Sequence, residues 1–161
     1  MVTSLNQECE CQCGKTKFTI KGKPIIRMVC HCQTCQEFNQ ADFGDVTLFL
    51  SKDLELHNEA SVNFKAYQKP PAVLRGKCIH CETPTIERLN LPLGASVTII
   101  PSKLIPLGER LPKISGHIFY HRRVNDVNDT PPKISGFVKS QLFVGAKVVT
   151  GISKNLLTFG K

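Results

Sequence analysis

Eight cysteines in three tight clusters constrain this chain more than any other feature: Cys9, Cys11 and Cys13, then Cys30, Cys32 and Cys35, then Cys78 and Cys81. A disulfide needs Cα atoms roughly 4.4–6.8 Å apart and a fixed torsion, so thiols one or two residues apart seldom bridge each other. They can instead converge on one soft cation. Tetrahedral zinc takes four thiolates, and short Cys pairs from two chain segments supply them. The C-x-C-G run Cys11–Gly14 and the C-x-x-C run Cys78–Cys81 together offer four donors. They form a closed site of the structural type, a clamp across residues 14–77 whose binding free energy becomes folding free energy. Gly14 suits the tight turn such a knuckle needs.

The C-H-C-x-x-C run Cys30–Cys35 offers three thiolates. Three protein ligands leave a fourth position for water or a thiol substrate, the pattern of a catalytic zinc. Alternatively a fourth side chain closes the site, and the two candidates are Cys9 and His31. Both arrangements stay open at this level. Iron–sulfur clusters also use thiolates, but a division into four donors and three favours zinc, two ions per chain. His80, inside the C-x-x-C run, reads as an exposed knuckle residue. His117 and His121 flank an expected strand without a clear role.

The length of 161 residues and hydrophobic content of 41% suit one domain, 1–161, with a core of its own, so zinc would clamp a fold rather than replace a core. Residues 1–8 are expected to be flexible. Met1–Glu10 has no apolar run resembling a signal peptide, and no segment reaches membrane-spanning length. Cysteine-rich chains without such a signal belong in a reducing compartment, which places this one in the cytoplasm. The charge of +8 is uneven. Residues 1–60 hold 6 Lys/Arg against 8 Asp/Glu, and residues 61–161 hold 15 against 5. A basic soluble surface is the plain reading; an anionic small molecule or a nucleic acid is the functional one. No Lys/Arg run exceeds the pair Arg122-Arg123, which gives no support to a nucleic-acid tail.

Short β-type stretches dominate: Lys17–Lys21, Val46/Leu48/Leu50, Val62/Phe64/Ala66, Val97–Ile100, His117–Tyr120 and Leu142–Thr150. Gly22-Lys23-Pro24, Pro70-Pro71, Leu91-Pro92-Leu93-Gly94 and Pro131-Pro132 punctuate them. Ten prolines leave little room for long helices. Short helical turns are expected at Gln33–Asn39 and Ser153–Leu157. The near-copies Leu111–Ser115 and Pro131–Ser135 read as two similar strand starts, and residues 124–132 as an exposed loop. The class is mainly β.

These motifs, in this order, resemble the glutathione-dependent formaldehyde-activating enzyme family, which includes centromere protein V. The resemblance rests on Cys11-Gln12-Cys13-Gly14-Lys15-Thr16-Lys17-Phe18, Cys30-His31-Cys32-Gln33-Thr34-Cys35 and Cys78-Ile79-His80-Cys81 with Thr83-Pro84, and it covers roughly residues 9–120. It implies a compact β-tent, or Mss4-like, domain of short antiparallel strands. It also implies a structural zinc on Cys11, Cys13, Cys78 and Cys81 and a catalytic zinc on Cys30, Cys32 and Cys35. Cys9 has no family role. Gln40 and Glu82 stand where the family usually carries glycine, which bears on local backbone shape and substrate more than on the metal donors.

The implied reaction is that of a carbon–sulfur lyase, adding glutathione or a similar thiol to formaldehyde or another small aldehyde. His31 is the candidate proton donor, and Arg75, Lys77, Arg122 and Arg123 are candidates to attract the anionic thiol. The competing reading is a non-catalytic zinc-stabilised binding module, chromatin- or nucleic-acid-associated; a third is a lyase acting on some other thiol adduct. No basic stripe interleaved with aromatics, of the kind single-strand binders use, supports the module.

Overall fold

A computed structural model describes residues 5–67, 73–91, 94–106 and 111–157. Of the expected breaks, Pro70-Pro71 and Pro92-Leu93 lie outside the described residues. Within them the chain is mainly β, as its patterning requires. The strands are β1 (Gln7–Glu10), β2 (Lys17–Ile20), β3 (Ile26–Cys30), β4 (Gly44–Leu50), β5 (Leu54–Leu56), β6 (Val62–Ala66), β7 (Leu74–Cys78), β8 (Pro84–Asn90), β9 (Ser96–Pro101) and β10 (Ile114–Ile118). Two α-helices accompany them, α1 (Gln33–Asn39) and α2 (Phe137–Leu157).

One sheet has the order β1-β2-β5, and a larger one runs β10-β3-β4-β9-β8-β7-β6. Pairing is antiparallel except at one edge, where β10 runs parallel to β3. Each face of the large sheet carries its own core. Phe49 of β4 and Ile100 of β9 join Phe18 and Ile20 of the small sheet, together with Leu5, Cys9 and Ile86. Val46 and Leu48 of β4 face the other way, with Ile26, Met28, Cys30, Cys35, Val97, Ile118 and Val148. The expected one-sided alternation of Val46, Leu48 and Leu50 thus belongs to a strand covered on both faces, with Thr47 and Phe49 buried as well.

Expectations for the C-terminal third change. Leu142–Thr150 is not a strand; it lies inside α2, which also absorbs the turn expected at Ser153–Leu157. The β-branched run there suggests a strand, but the buried positions Ser140, Val148 and Asn155, with half-buried Val144 and Ile152, recur at helical spacing. The proline argument fails because all ten lie at or before Pro132, leaving residues 133–161 without one. Gly151 lets α2 press against the start of β3, since a Cβ there would stand 2.5 Å from Ile25 Cγ2 and 2.7 Å from the Ile25 carbonyl. Near the N-terminus, Leu5 is buried and Gln7 and Glu8 belong to β1.

His117–Tyr120 is a strand only as far as Ile118. Phe119 takes a left-handed conformation, and Tyr120–Arg122 form one 3₁₀ turn. Of the two near-copies, the first leads into β10. The second is not a named strand but runs beside β10: the His117 amide donates to the Pro132 carbonyl and the Ile134 amide to that of His117. Residues 124–130 are exposed apart from half-buried Val127. No described helix is long and apolar enough to cross a membrane.

Candidate metal centres and a buried histidine pair

The first sulfur cluster joins two knuckles. In one, the Cys11 amide donates to the Thr16 carbonyl and the Gly14 amide to the Cys11 carbonyl, both at 3.0 Å, with Gly14 at φ +73°. In the other, the Glu82 amide donates to the Cys78 carbonyl at 2.9 Å and the Cys78 amide to the Thr83 carbonyl at 3.0 Å. Each turn folds its two sulfurs to one side. The Sγ atoms of Cys11, Cys13, Cys78 and Cys81 all lie within 4.8 Å of one another. Two separations are 3.5 Å (Cys11–Cys13) and 3.8 Å (Cys13–Cys78). A tetrahedron with Zn–S bonds of about 2.3 Å has edges of about 3.8 Å, so this donor set fits zinc. The amides of Thr16 and His80 donate to Cys11 Sγ and Cys78 Sγ, as thiolate ligands require.

Glu82 holds φ +55° in the second knuckle, the counterpart of Gly14. Gln40 caps α1 in the left-handed region at φ +49°. Both replacements for the family's usual glycines therefore keep the backbone conformation that glycine serves. Their side chains are exposed, so the change is one of local strain, not of shape.

The second cluster forms where β3 hands over to α1. Cys30 ends the strand, Cys32 caps the helix and Cys35 lies in its first turn. The three sulfurs are mutually within 4.8 Å, with Cys30 and Cys32 3.4 Å apart. Cys32 Sγ does the work of an N-cap oxygen, accepting from the Cys35 amide at 3.4 Å. Without a metal, the Cys30 and Cys35 thiols donate to Cys32 and hold it down to about 2. The sharing pushes Cys30 up to about 12, and Cys35 goes well above the ordinary range. A divalent ion held by the three sulfurs would take all three as thiolates.

Neither candidate fourth ligand joins this trio. Cys9 packs with Phe18 and Phe49 on the opposite face of the large sheet. It is 4% exposed rather than solvent-facing, and burial pushes its thiol up to about 12. His31 places its ring among Phe43, Tyr120 and His117 and binds His117 through Nε2. Among the described residues, no further His, Cys, Asp or Glu completes the set.

Three of the four basic side chains named from the sequence, Arg75, Lys77 and Arg122, touch α1. Arg75 is ion-paired with buried Glu87, and both Arg75 and Lys77 lie over the Phe38 ring of α1. Arg122 donates to Gln33 Oε1 at 3.3 Å, while its carbonyl accepts from Gln36. Arg123 pairs with Asp126 and covers the Tyr120 ring. A cleft of about 480 Å³ opens at the far end of α1, lined by Arg27, Asn39, Phe43, Asp45 and Lys103. No cysteine lines it, but it adjoins the trio through Asn39, which donates to the Cys35 carbonyl, and adjoins His31 through Phe43.

His117 was legible only as a histidine near a strand. It is 1% exposed, and its Nδ1 lies 2.9 Å from His31 Nε2. Its own Nε2 lies 2.8 Å from Asp129 Oδ2. Asp129 also takes Lys133 Nζ at 2.5 Å on Oδ1. His121, by contrast, is exposed and accepts from the Gly136 amide. His80 is exposed beside its knuckle.

The chain is mainly β, with a four-sulfur clamp and a separate three-sulfur cluster, each of which could hold a metal ion. A family model, glutathione-dependent formaldehyde-activating enzyme, matches residues 6–122, and the chain belongs to that family. A search of curated proteins found no match.

Proposed function

We propose that the protein is a zinc-dependent carbon–sulfur lyase that joins glutathione, or a similar thiol, to formaldehyde or another small aldehyde. The observation that carries this reading is the trio Cys30, Cys32 and Cys35, whose sulfurs converge with no fourth His, Cys, Asp or Glu ligand among the described residues. Family membership supports this choice of substrate class. In the reaction a C–S bond forms between the thiol sulfur and the aldehyde carbon. The carbonyl π pair moves to oxygen, the S–H proton ends on that oxygen, and nothing is oxidised or reduced.

Zinc held by the trio would supply an open position at which a thiol of ordinary pKa about 8.5 is bound as its thiolate. The remaining roles fall to the chain. Cys30, Cys32 and Cys35 set the ligand geometry, and the Cys35 amide holds Cys32 Sγ in place. Three thiolates on a divalent ion leave a net charge of −1, so an anionic thiol needs cations nearby. Arg75, Lys77 and Arg122 flank α1, and Lys103 lines the adjoining cleft. His31 handles the proton; its Nδ1 is the one buried side-chain nitrogen or oxygen without a partner among the described residues. Holding both reactants at one site removes much of the entropic barrier.

Cobalt-substituted protein tests the open position. Glutathione should change the ligand-field and thiolate charge-transfer bands, and S-methylglutathione, which cannot present a thiolate, should not. Unchanged bands with glutathione, both metals being bound, would refute the reading and leave the closed binding module, for which nucleic-acid binding across a salt series is the next measurement.

A further inference from the structure

Helix α2 (Phe137–Leu157) lies wholly beyond the family match, which ends at residue 122, and the reaction proposed above makes no use of it. One face seats it on the large sheet through Ser140, Val148 and Asn155, all buried. A second apolar stripe points away. Val138, Leu142 and Val149 are 66%, 69% and 65% exposed, the three most exposed large hydrophobic side chains among the described residues. At about 100° per residue, positions 138, 142, 145 and 149 fall within an arc of about 60°, about a third of a turn round from the seated face. Gly145 stands inside the stripe, and a Cβ built there would meet nothing within 4 Å. A helix needs one apolar face to seat on a core, and the second face is surplus to that need.

The charge around the stripe indicates what covers it. Residues 133–161 hold five lysines and no Asp or Glu. Lys139 borders the stripe on its solvent side, and Lys147 and Lys154 stand farther round; all three are exposed. They lie within a helix diameter of the stripe, about 10 Å, which is also the reach of a charge at ordinary salt. The first turn of α2 has no acidic residue, although one there would favour the helix dipole. The preceding acids in the chain, Asp126 and Asp129, are ion-paired with Arg123 and Lys133. The stripe thus matches an apolar layer bordered by negative charge.

A second copy of the chain does not fit, because its α2 would bring the same lysines and no acid. The stripe is also small for a stable protein partner. From Val138 to Val149 it runs about 16 Å, and a width of about 10 Å gives about 160 Å², against about 800 Å² per partner in a stable complex. Nucleic acid would use the lysines and leave the stripe in water. A bilayer surface needs no shape complementarity: apolar side chains enter the boundary between headgroups and acyl chains, and lysines reach up to anionic headgroups.

We propose that α2 docks this protein on an anionic membrane surface, laying Val138, Leu142 and Val149 into the headgroup–acyl boundary with Lys139 and Lys147 among the headgroups. The helix would lie on the bilayer rather than cross it, and no described helix is long and apolar enough to cross. Docking by this face is independent of the thiol–aldehyde chemistry.

Flotation of the full, zinc-loaded chain with vesicles tests the docking, using phosphatidylcholine alone and phosphatidylcholine with about 30% phosphatidylserine. The wild type should bind the anionic vesicles at least about tenfold more tightly than the neutral ones. It should lose most of that difference in about 1 M salt, where the Debye length falls to about 3 Å. Lys139→Gln should weaken binding to anionic vesicles about fivefold, the worth of one charge near such a surface. Leu142→Gln combined with Val149→Gln should weaken it at least about tenfold. Its melting temperature should match the wild type, because both side chains stand outside the core. The chain has no tryptophan, so Leu142→Trp introduces a single reporter on the stripe. Its emission should shift to the blue with anionic vesicles. Equal binding to neutral and anionic vesicles, or binding to neither, overturns the proposal. So does an unshifted emission from Leu142→Trp while that variant floats. A dimer in sedimentation that Leu142→Gln abolishes would give the stripe to a second copy, and duplex DNA bound more tightly than vesicles at equal salt would give the lysines to nucleic acid; either result also overturns it.

Discussion

Restoring glycine at positions 40 and 82 should stabilise this protein without altering its chemistry. Gln40 and Glu82 sit at φ +49° and +55°. For an L-residue the left-handed region costs about 1–2 kcal/mol, from the approach of Cβ to the following carbonyl oxygen. Glycine escapes that cost but adds unfolded-state entropy worth about 0.4–1 kcal/mol. Both side chains are exposed, and among the described residues neither makes a side-chain hydrogen bond or ion pair that offsets its loss. Each of Gln40→Gly and Glu82→Gly should therefore gain about 0.5–1 kcal/mol. In a chain of this length that is a rise in melting temperature of about 1–4 °C. The sites lie on separate turns, α1's end and the β7–β8 knuckle, so the double variant should show nearly the sum. Urea denaturation of the zinc-loaded protein measures the gain. Glutathione binding and kcat serve as controls and should stay within about twofold, a change of about 0.4 kcal/mol. A loss of stability in either variant would refute the strain argument. A large shift in substrate preference would show that these positions act on function, not only on backbone strain.

Protein purified without chelator should carry close to two zinc equivalents by elemental analysis; iron with visible absorption would refute the zinc assignment. Cys78→Ser should lower the melting temperature sharply, because one opened ligand forfeits much of a metal-linked folding energy of order ten kcal/mol. Cys32→Ser should remain folded with one equivalent of metal, and a wild-type melting temperature for Cys78→Ser would reverse the assignment of the two sites. Cys9, buried and pushed up to about 12, should resist iodoacetamide at pH about 8.5, where an ordinary thiol is half ionised, in the folded protein; modification at the rate of a free thiol would show that it is not packed with Phe18 and Phe49. Gly151→Ala should destabilise despite a helix-propensity gain of about 1 kcal/mol. The new methyl meets the Ile25 carbonyl oxygen at 2.7 Å, and forcing α2 off β3 costs about 1–3 kcal/mol. A stabilised variant would mean that α2 does not seat there.

The two sulfur clusters were legible in the sequence because knuckle geometry is local. Cys11-x-Cys13-Gly14, Cys30-x-Cys32-x-x-Cys35 and Cys78-x-x-Cys81 each converge through one turn, and one turn is set by spacing and a few φ angles. The helical turn at Gln33–Asn39 was legible for the same reason, since it begins at the capping sulfur. The strands were mostly visible as alternation, but α2 was not, because β-branched residues at 144, 148, 149, 150 and 152 mimic a strand until the fold shows which of them are buried.

Whether Cys9 could close the trio was a question only tertiary structure could answer. Cys9 stands next but one to Cys11 in a chain where donors cluster, yet pairing Cys9 with Phe18 in β1–β2 puts it on the opposite side of the large sheet from Cys30. The histidine pair lies further still from anything spacing can reveal. His31 and His117 are 86 residues apart, brought together because β10 runs parallel beside β3, and Asp129 reaches them from an exposed loop. Local sequence determined which atoms can bind a metal. Strand pairing across the sheet decided which buried nitrogen is left without a hydrogen-bond partner among the described residues.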